Sequence, residues 1–207
     1  MIGPRDQNAS ATTGMVRVAR IFSNVVSPPI MFAALGLAVG LANGPTFWAG
    51  FGWAALYGLL ISLAPILFVL WMLRTGRISE LHMSDTGERH LPYLVAAGCA
   101  ALVWLLLSLL NGPEDLRCLA AFNLIELVAL GLINVVWLIS IHATGMIATT
   151  ILAGLIFGAP AGWALTPLLI LVCWARLYLR RHTPAQVLAG LALGAVVILP
   201  LLQFGCF

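Results

Sequence analysis

The chain has 207 residues, of which 62% are hydrophobic and only 8% charged. Its mean hydropathy is +1.05, whereas a soluble domain carries about 25% charged and about 45–50% apolar residues. This composition excludes a soluble globular protein, a disordered chain and a nucleic-acid binder. It leaves an all-α, polytopic integral membrane bundle of six to seven transmembrane helices.

In chain order, the polar stretch Met1 to Thr13 has no signal-peptide pattern, so the first apolar segment is expected to act as an uncleaved anchor. Arg17, Arg20, Asn24 and Ser27 then recur at helical spacing opposite Val16, Val18, Ile21, Phe22 and Val25. That pattern fits a helix lying in the membrane interface, or the basic first turns of span one. Pro28-Pro29 is expected to break or kink it. A polar tail with this basic segment over 1–20 precedes a single transmembrane domain over 21–207. Spanning takes about 20 mostly apolar residues, and seven segments qualify or nearly so: 21–43, 47–73, 91–111, 117–138, 143–158, 161–178 and 184–204. None alternates as a barrel strand would.

The connections fall into two kinds. Asn43-Gly44-Pro45, Asn111-Gly112-Pro113 and Gly158-Ala159-Pro160 are turning loops, whereas 74–90, 139–145 and 176–182 carry charge or polarity. Strict alternation of seven spans puts the polar junctions on one face. All four His (His82, His90, His142, His182) and nine of the ten Arg fall there, with Arg117 opposite. An Arg excess in short loops marks the cytoplasmic side, here of a plasma (inner) membrane. Arg77, Arg180 and Arg181 read as anchors that snorkel to lipid headgroups. The seven Trp fit the interfacial belt. Cys99 and Cys173 read as small buried hydrophobes, and the four Cys as no framework. Glu126 lies inside the fourth span with Asn123 on the same face, and an intramembrane carboxylate is a functional candidate by default.

A His and Arg cluster at a membrane face can bind phosphate through the planar guanidinium fork and transfer it through an imidazole. Asp6, Asp85 and Asp115 are scattered, so no acidic pair is at hand for magnesium and the expected chemistry is metal-free, without a cofactor. Arg176, five residues, His182, three residues, Gln186 resembles the third signature of the type 2 phosphatidic acid phosphatase superfamily, Ser-Arg, five residues, His, three residues, Asp. Ser140-Ile141-His142 resembles the end of the second, Pro-Ser-Gly-His. His82, six residues, Arg89 resembles the first, Lys, six residues, Arg-Pro. The resemblance covers roughly residues 74–204. Ala175, Gln186, Ile139, Ile141, His82 and His90 stand where the signatures have Ser, Asp, Pro, Gly, Lys and Pro.

The resemblance implies a membrane phosphatase for a lipid phosphate or an isoprenyl (di)phosphate, with the substrate headgroup at the interface and its tail in lipid. His182 would attack phosphorus, His142 would protonate the leaving oxygen, and Arg89, Arg176, Ser140 and His82 would bind the phosphate. Gln186 would orient the His182 ring through its amide oxygen. A cytoplasmic motif face would favour prenyl diphosphates made on that side. The alternative is a phospholipid or prenyl-phosphate binder or transporter that keeps the pocket without turnover.

Overall fold

A computed structural model describes Arg5, residues 14–81, Met83 and residues 87–207. His82 and Asp85 lie outside the described residues. Among those described, every regular element is helical. Helix α1 is Gly14–Val25 and α2 is Pro28–Asn43. Helix α3 is Phe47–Gly58, and it runs through a π-helical turn, Leu59–Leu63, into α4, Ala64–Arg74. A 3₁₀ turn at Gly87–Arg89 leads into α5, His90–Leu109, followed by α6, Glu114–Asn134. Helix α7 is Ile141–Phe157, α8 is Ala159–Tyr178, α9 is Pro184–Val196 and α10 is Ile198–Gln203. Five helical stretches are long and apolar enough to cross a membrane, and six if α1 and α2, bent by 43°, count as one. Apolar side chains such as Leu94, Leu109, Leu132, Ile170 and Leu188 face outward from these helices. That surface suits lipid rather than water.

The helices sit where apolar runs predict them, within a few residues. The break expected at Pro28-Pro29 is present: Pro28 has no N–H to continue the ladder of α1, so a new helix starts there. The fourth segment ends at Asn134 rather than at 138. The π turn just before Pro65 has the same origin, because Pro65 supplies no N–H to the turn behind it.

Helix ends show a recurring closure. After α4, α5, α8 and α10 a residue with positive φ reverses the chain: Gly76 at 68°, Asn111 at 53°, Arg180 at 55° and Gly205 at 80°. In each case the next N–H returns to a carbonyl five residues back, as Arg77 to Met72 at 2.9 Å and Arg181 to Arg176 at 3.1 Å. This pattern satisfies carbonyls that a helix end leaves open.

The chain forms two compact units. One unit takes α1, the start of α2, and α7 to α9; the other takes the rest of α2, α3 to α6, and α10. In the first unit α7 packs on both α8 and α9. The α7–α9 contact is close because Gly190 and Gly194 share a face of α9. A Cβ at Gly190 would lie 2.7 Å from the Ser140 carbonyl oxygen, and one at Gly194 would overlap that of Thr144. Small residues four apart let backbones approach this way in apolar surroundings. Helix α1 lies on α8, with Ala19 against Ala175 and Leu179.

In the second unit α5 and α6 form the main pair. Phe32 packs against Phe122 with centroids 5.8 Å apart. Cys118 and Cys206 are joined by a disulfide, with Cα atoms 5.7 Å apart. The expectation of no cysteine framework is therefore corrected. The turn at Gly205 folds Cys206 back toward the start of α6, a juxtaposition that spacing alone does not show.

The close α7–α9 contact predicts that Gly194→Val lowers stability by about 1–3 kcal/mol through overpacking. Gly98→Ala, where a Cβ meets nothing within 4 Å, should be neutral or stabilising by about 0.5–1 kcal/mol. Unfolding of the purified chain in mild detergent measures both.

Candidate functional site

The first unit gathers five of the expected residues, Ser140, His142, Arg176, His182 and Gln186, at one end. Helix α8 ends at Tyr178, α9 starts at Pro184, and α7 starts at Ile141 beside them. The Ser140 N–H donates to the Gln186 carbonyl at 3.1 Å, which fixes the start of α7 against the start of α9.

Arg176 sits in the last turn of α8 and is 2% exposed. His182 follows in the connecting turn and is 7% exposed. The reversal at Arg180 brings the ring back over the helix end, where Arg176 Nη2 lies 3.3 Å from His182 Nε2. Guanidinium nitrogens only donate, so this contact requires Nε2 to carry the lone pair and Nδ1 the proton. Arg176 Nη1 donates to the Ser23 hydroxyl of α1 at 3.1 Å. A buried arginine thus holds a buried histidine in one tautomer while a serine holds the arginine. Arg5 braces the same helix end: its N–H donates to the Leu179 carbonyl at 3.0 Å and its guanidinium stacks 4.6 Å from the Tyr178 ring centre.

Ser140 is fully buried and is the N-cap of α7, its hydroxyl accepting the Ala143 N–H at 3.4 Å. His142, in the first turn of α7, is half-buried. Gln186 has a different partner from the one the resemblance implies. Its amide oxygen accepts the Thr183 N–H at 2.9 Å, while the Gln186 N–H donates to the Thr183 hydroxyl at 3.3 Å. This reciprocal pair is a capping box that starts α9, with Pro184 in its first turn. The amide oxygen expected to orient the His182 ring thus serves in the cap of α9.

Arg89 belongs to the second unit. It is 7% exposed, and its Nε donates to the Met83 carbonyl at 2.6 Å. Glu88 beside it accepts from the Ser79 N–H at 2.8 Å and the Ser79 hydroxyl at 3.2 Å. Arg180 is exposed, in keeping with an anchor, and Arg77 covers the Trp71 ring at 4.5 Å.

Two residues escape a reading by composition and motif. Ser23 lies outside the stripe of Arg17, Arg20, Asn24 and Ser27, but Ala19 and Ser23 are small residues four apart, the signal for a packed face. Thr183, with Gln186 three residues on, has the spacing of a capping box. No protein-family model, no curated protein and no solved structure matches the chain.

Arg180 is the one of the four reversal residues that is neither Gly nor Asn. An L side chain in this region costs about 1–2 kcal/mol, and such cost concentrates at functional sites. Arg180→Gly should therefore leave the fold intact or stabilise it by up to about 1 kcal/mol. Arg180→Val should destabilise it and loosen the Arg176–His182 contact. Thermal unfolding reads the first effect, and the histidine ring resonances in NMR read the second.

Proposed function

We propose that the chain is a metal-independent integral membrane phosphatase for a lipid phosphate or an isoprenyl (di)phosphate, acting through a phosphohistidine at His182. The contact between Arg176 and His182 carries this reading, because it pairs an anion-binding fork with an imidazole whose Nε2 holds a lone pair. A phosphate entering the site takes the arginine donors, and this frees Nε2 for attack. Nε2 then forms the N–P bond as the bond from phosphorus to the leaving oxygen breaks. His142 gives its proton to that oxygen. Water next attacks phosphorus, the N–P bond breaks, and His142 takes up the proton that water loses. Arg176 offsets the charge that develops on the phosphoryl oxygens.

The engagement of Gln186 in the capping box favours a second reading. With no carboxylate at this position, the growing charge on the His182 ring is offset less. The chain is then a binder or transporter of the same phosphorylated lipids.

The orientation proposed is a cytoplasmic motif face with seven crossings. The disulfide supports the count. From Cys118 the chain passes through α6, α7, α8 and α9–α10 before Cys206, and only an even number of crossings returns it to the same side. Helix α7 then counts as a crossing, although its 17 residues span only about 25 Å. Disulfides persist in oxidising compartments, so the Cys118 side is extracytoplasmic, in agreement with the arginine distribution.

The functional test is release of inorganic phosphate from prenyl diphosphates and phosphatidic acid with chelator present. Wild type should turn over and form an acid-labile phosphoenzyme, and His182→Ala should lose both. Arg176→Lys should reduce turnover by about 10²–10³-fold. Tight binding without release supports the second reading, and neither binding nor release removes both. The orientation is tested separately with Cys99→Ala/Cys173→Ala. A membrane-impermeant maleimide applied from outside should label this variant only after reduction. Labelling only from the cytoplasmic side would reverse the orientation.

A further inference from the structure

Helix α1 touches the candidate site, yet the chemistry above uses none of its charge. At 3.6 residues per turn its side chains fall into three stripes roughly 120° apart. Ala19 and Ser23 form a buried stripe, set on α8. Val18, Ile21 and Val25 form an outward apolar stripe and are 57%, 50% and 58% exposed. Arg17, Arg20 and Asn24 form the third, with Arg17 and Asn24 exposed and Arg20 half-buried. The helix carries no carboxylate.

The buried stripe reaches the site through measured contacts. The Ser23 hydroxyl accepts from Arg176 Nη1 at 3.1 Å, and Arg176 Nη2 lies 3.3 Å from His182 Nε2. Ala19 packs against Leu179 and against Ala175, the neighbour of Arg176. Val26, directly after α1, packs against Met146 of α7 and Val172 of α8. A shift of α1 on α8 therefore moves the oxygen that holds Arg176.

The two outer stripes call for an occupant that is apolar beside Val18, Ile21 and Val25 and anionic beside Arg17 and Arg20. The surface of an anionic bilayer supplies both, acyl chains for the first stripe and headgroup phosphates for the second. A guanidinium fork takes phosphate oxygens in pairs. Basic residues beside an anionic leaflet also gain from its negative surface potential. A second copy docked about a two-fold axis would bring the same basic stripe alongside its own, like charge near like. A soluble acidic partner would leave the apolar stripe unmet.

We propose that α1 is a docking surface for anionic phospholipid headgroups, and that this docking, through Ser23, holds Arg176 where it meets His182. Docking draws the apolar stripe into the acyl region and the basic stripe to the phosphates. That fixes the roll of α1 and keeps Ser23 on Arg176. Ser23 is thus a positioning residue. The docking surface is independent of the phosphatase reading, whereas its effect on turnover rests on that reading.

The test places the full chain in vesicles of phosphatidylcholine with or without phosphatidylglycerol. Spin-labelled phosphatidylglycerol should be immobilised by the protein in preference to spin-labelled phosphatidylcholine. Arg17→Gln/Arg20→Gln should lower that preference about fivefold for each arginine removed. High salt should bring wild type toward the double variant. In wild type, phosphatidylglycerol should shift the His182 ring resonances in NMR. Ser23→Ala, which keeps a small residue on the α8 face, should retain the lipid preference and lose the shift. Phosphatidylglycerol should also raise turnover of a prenyl diphosphate in wild type, but in neither Arg17→Gln/Arg20→Gln nor Ser23→Ala. A chain with no turnover in either vesicle counts against the phosphatase reading alone, and the lipid and resonance measurements still decide this proposal. Equal immobilisation of the two lipids, or an unchanged preference in the double variant, overturns the docking surface. A His182 ring that does not respond to phosphatidylglycerol overturns the coupling. Cross-linking between copies through Val18→Cys, in a Cys99→Ala/Cys173→Ala chain, overturns the lipid occupant in favour of a second copy.

Discussion

Hydrogen bonding without water governs this molecule. In an apolar medium every donor and acceptor must find a partner in the chain, because an unmet one costs several kcal/mol. The helical backbone answers most of that demand, and the remainder collects at helix ends and around the few polar side chains. Hence the chain reverses after α4, α5, α8 and α10 by the same N–H bond returning to a carbonyl five residues back. Hence too Thr144, Thr149 and Thr150, buried in α7, each give their hydroxyl to a carbonyl four residues back, at 2.8–2.9 Å.

The candidate site follows from that constraint rather than standing apart from it. The turn that closes α8 sets the reach of six residues from Arg176 to His182. A straight continuation would carry the histidine further along the axis, with no arginine beside it. The same economy applies at the start of α9, where the Thr183 and Gln186 pair satisfies first-turn donors. Rigid helix ends thus hold the imidazole and the guanidinium, which limits how far either can move.

Much of this was legible in the residues. Apolar runs located the helices, since burial in lipid demands length and leaves little room for charge. Pro28-Pro29 marked the break between α1 and α2. The likeness of Arg176 and His182 to a signature implied one shared site, and the reversal at the end of α8 brings the two together. What stayed hidden depends on contacts between distant segments. Ser23 is 153 residues from Arg176 in sequence, and Tyr57 is 66 from Asn123. The Cys118–Cys206 pair spans 88 residues, and four cysteines allow three pairings. Gln186 was read by its place in a signature, although Thr183 ahead of it carried the stronger local signal.

The disulfide also ties chemistry to the order of synthesis. Cys118 emerges early, and its partner follows 88 residues later, beyond α10. No bond can close until that helix has been delivered and the chain has turned at Gly205. An oxidised chain is therefore one in which α10 is in place. The thiol state of Cys118 therefore records whether the chain ran that far.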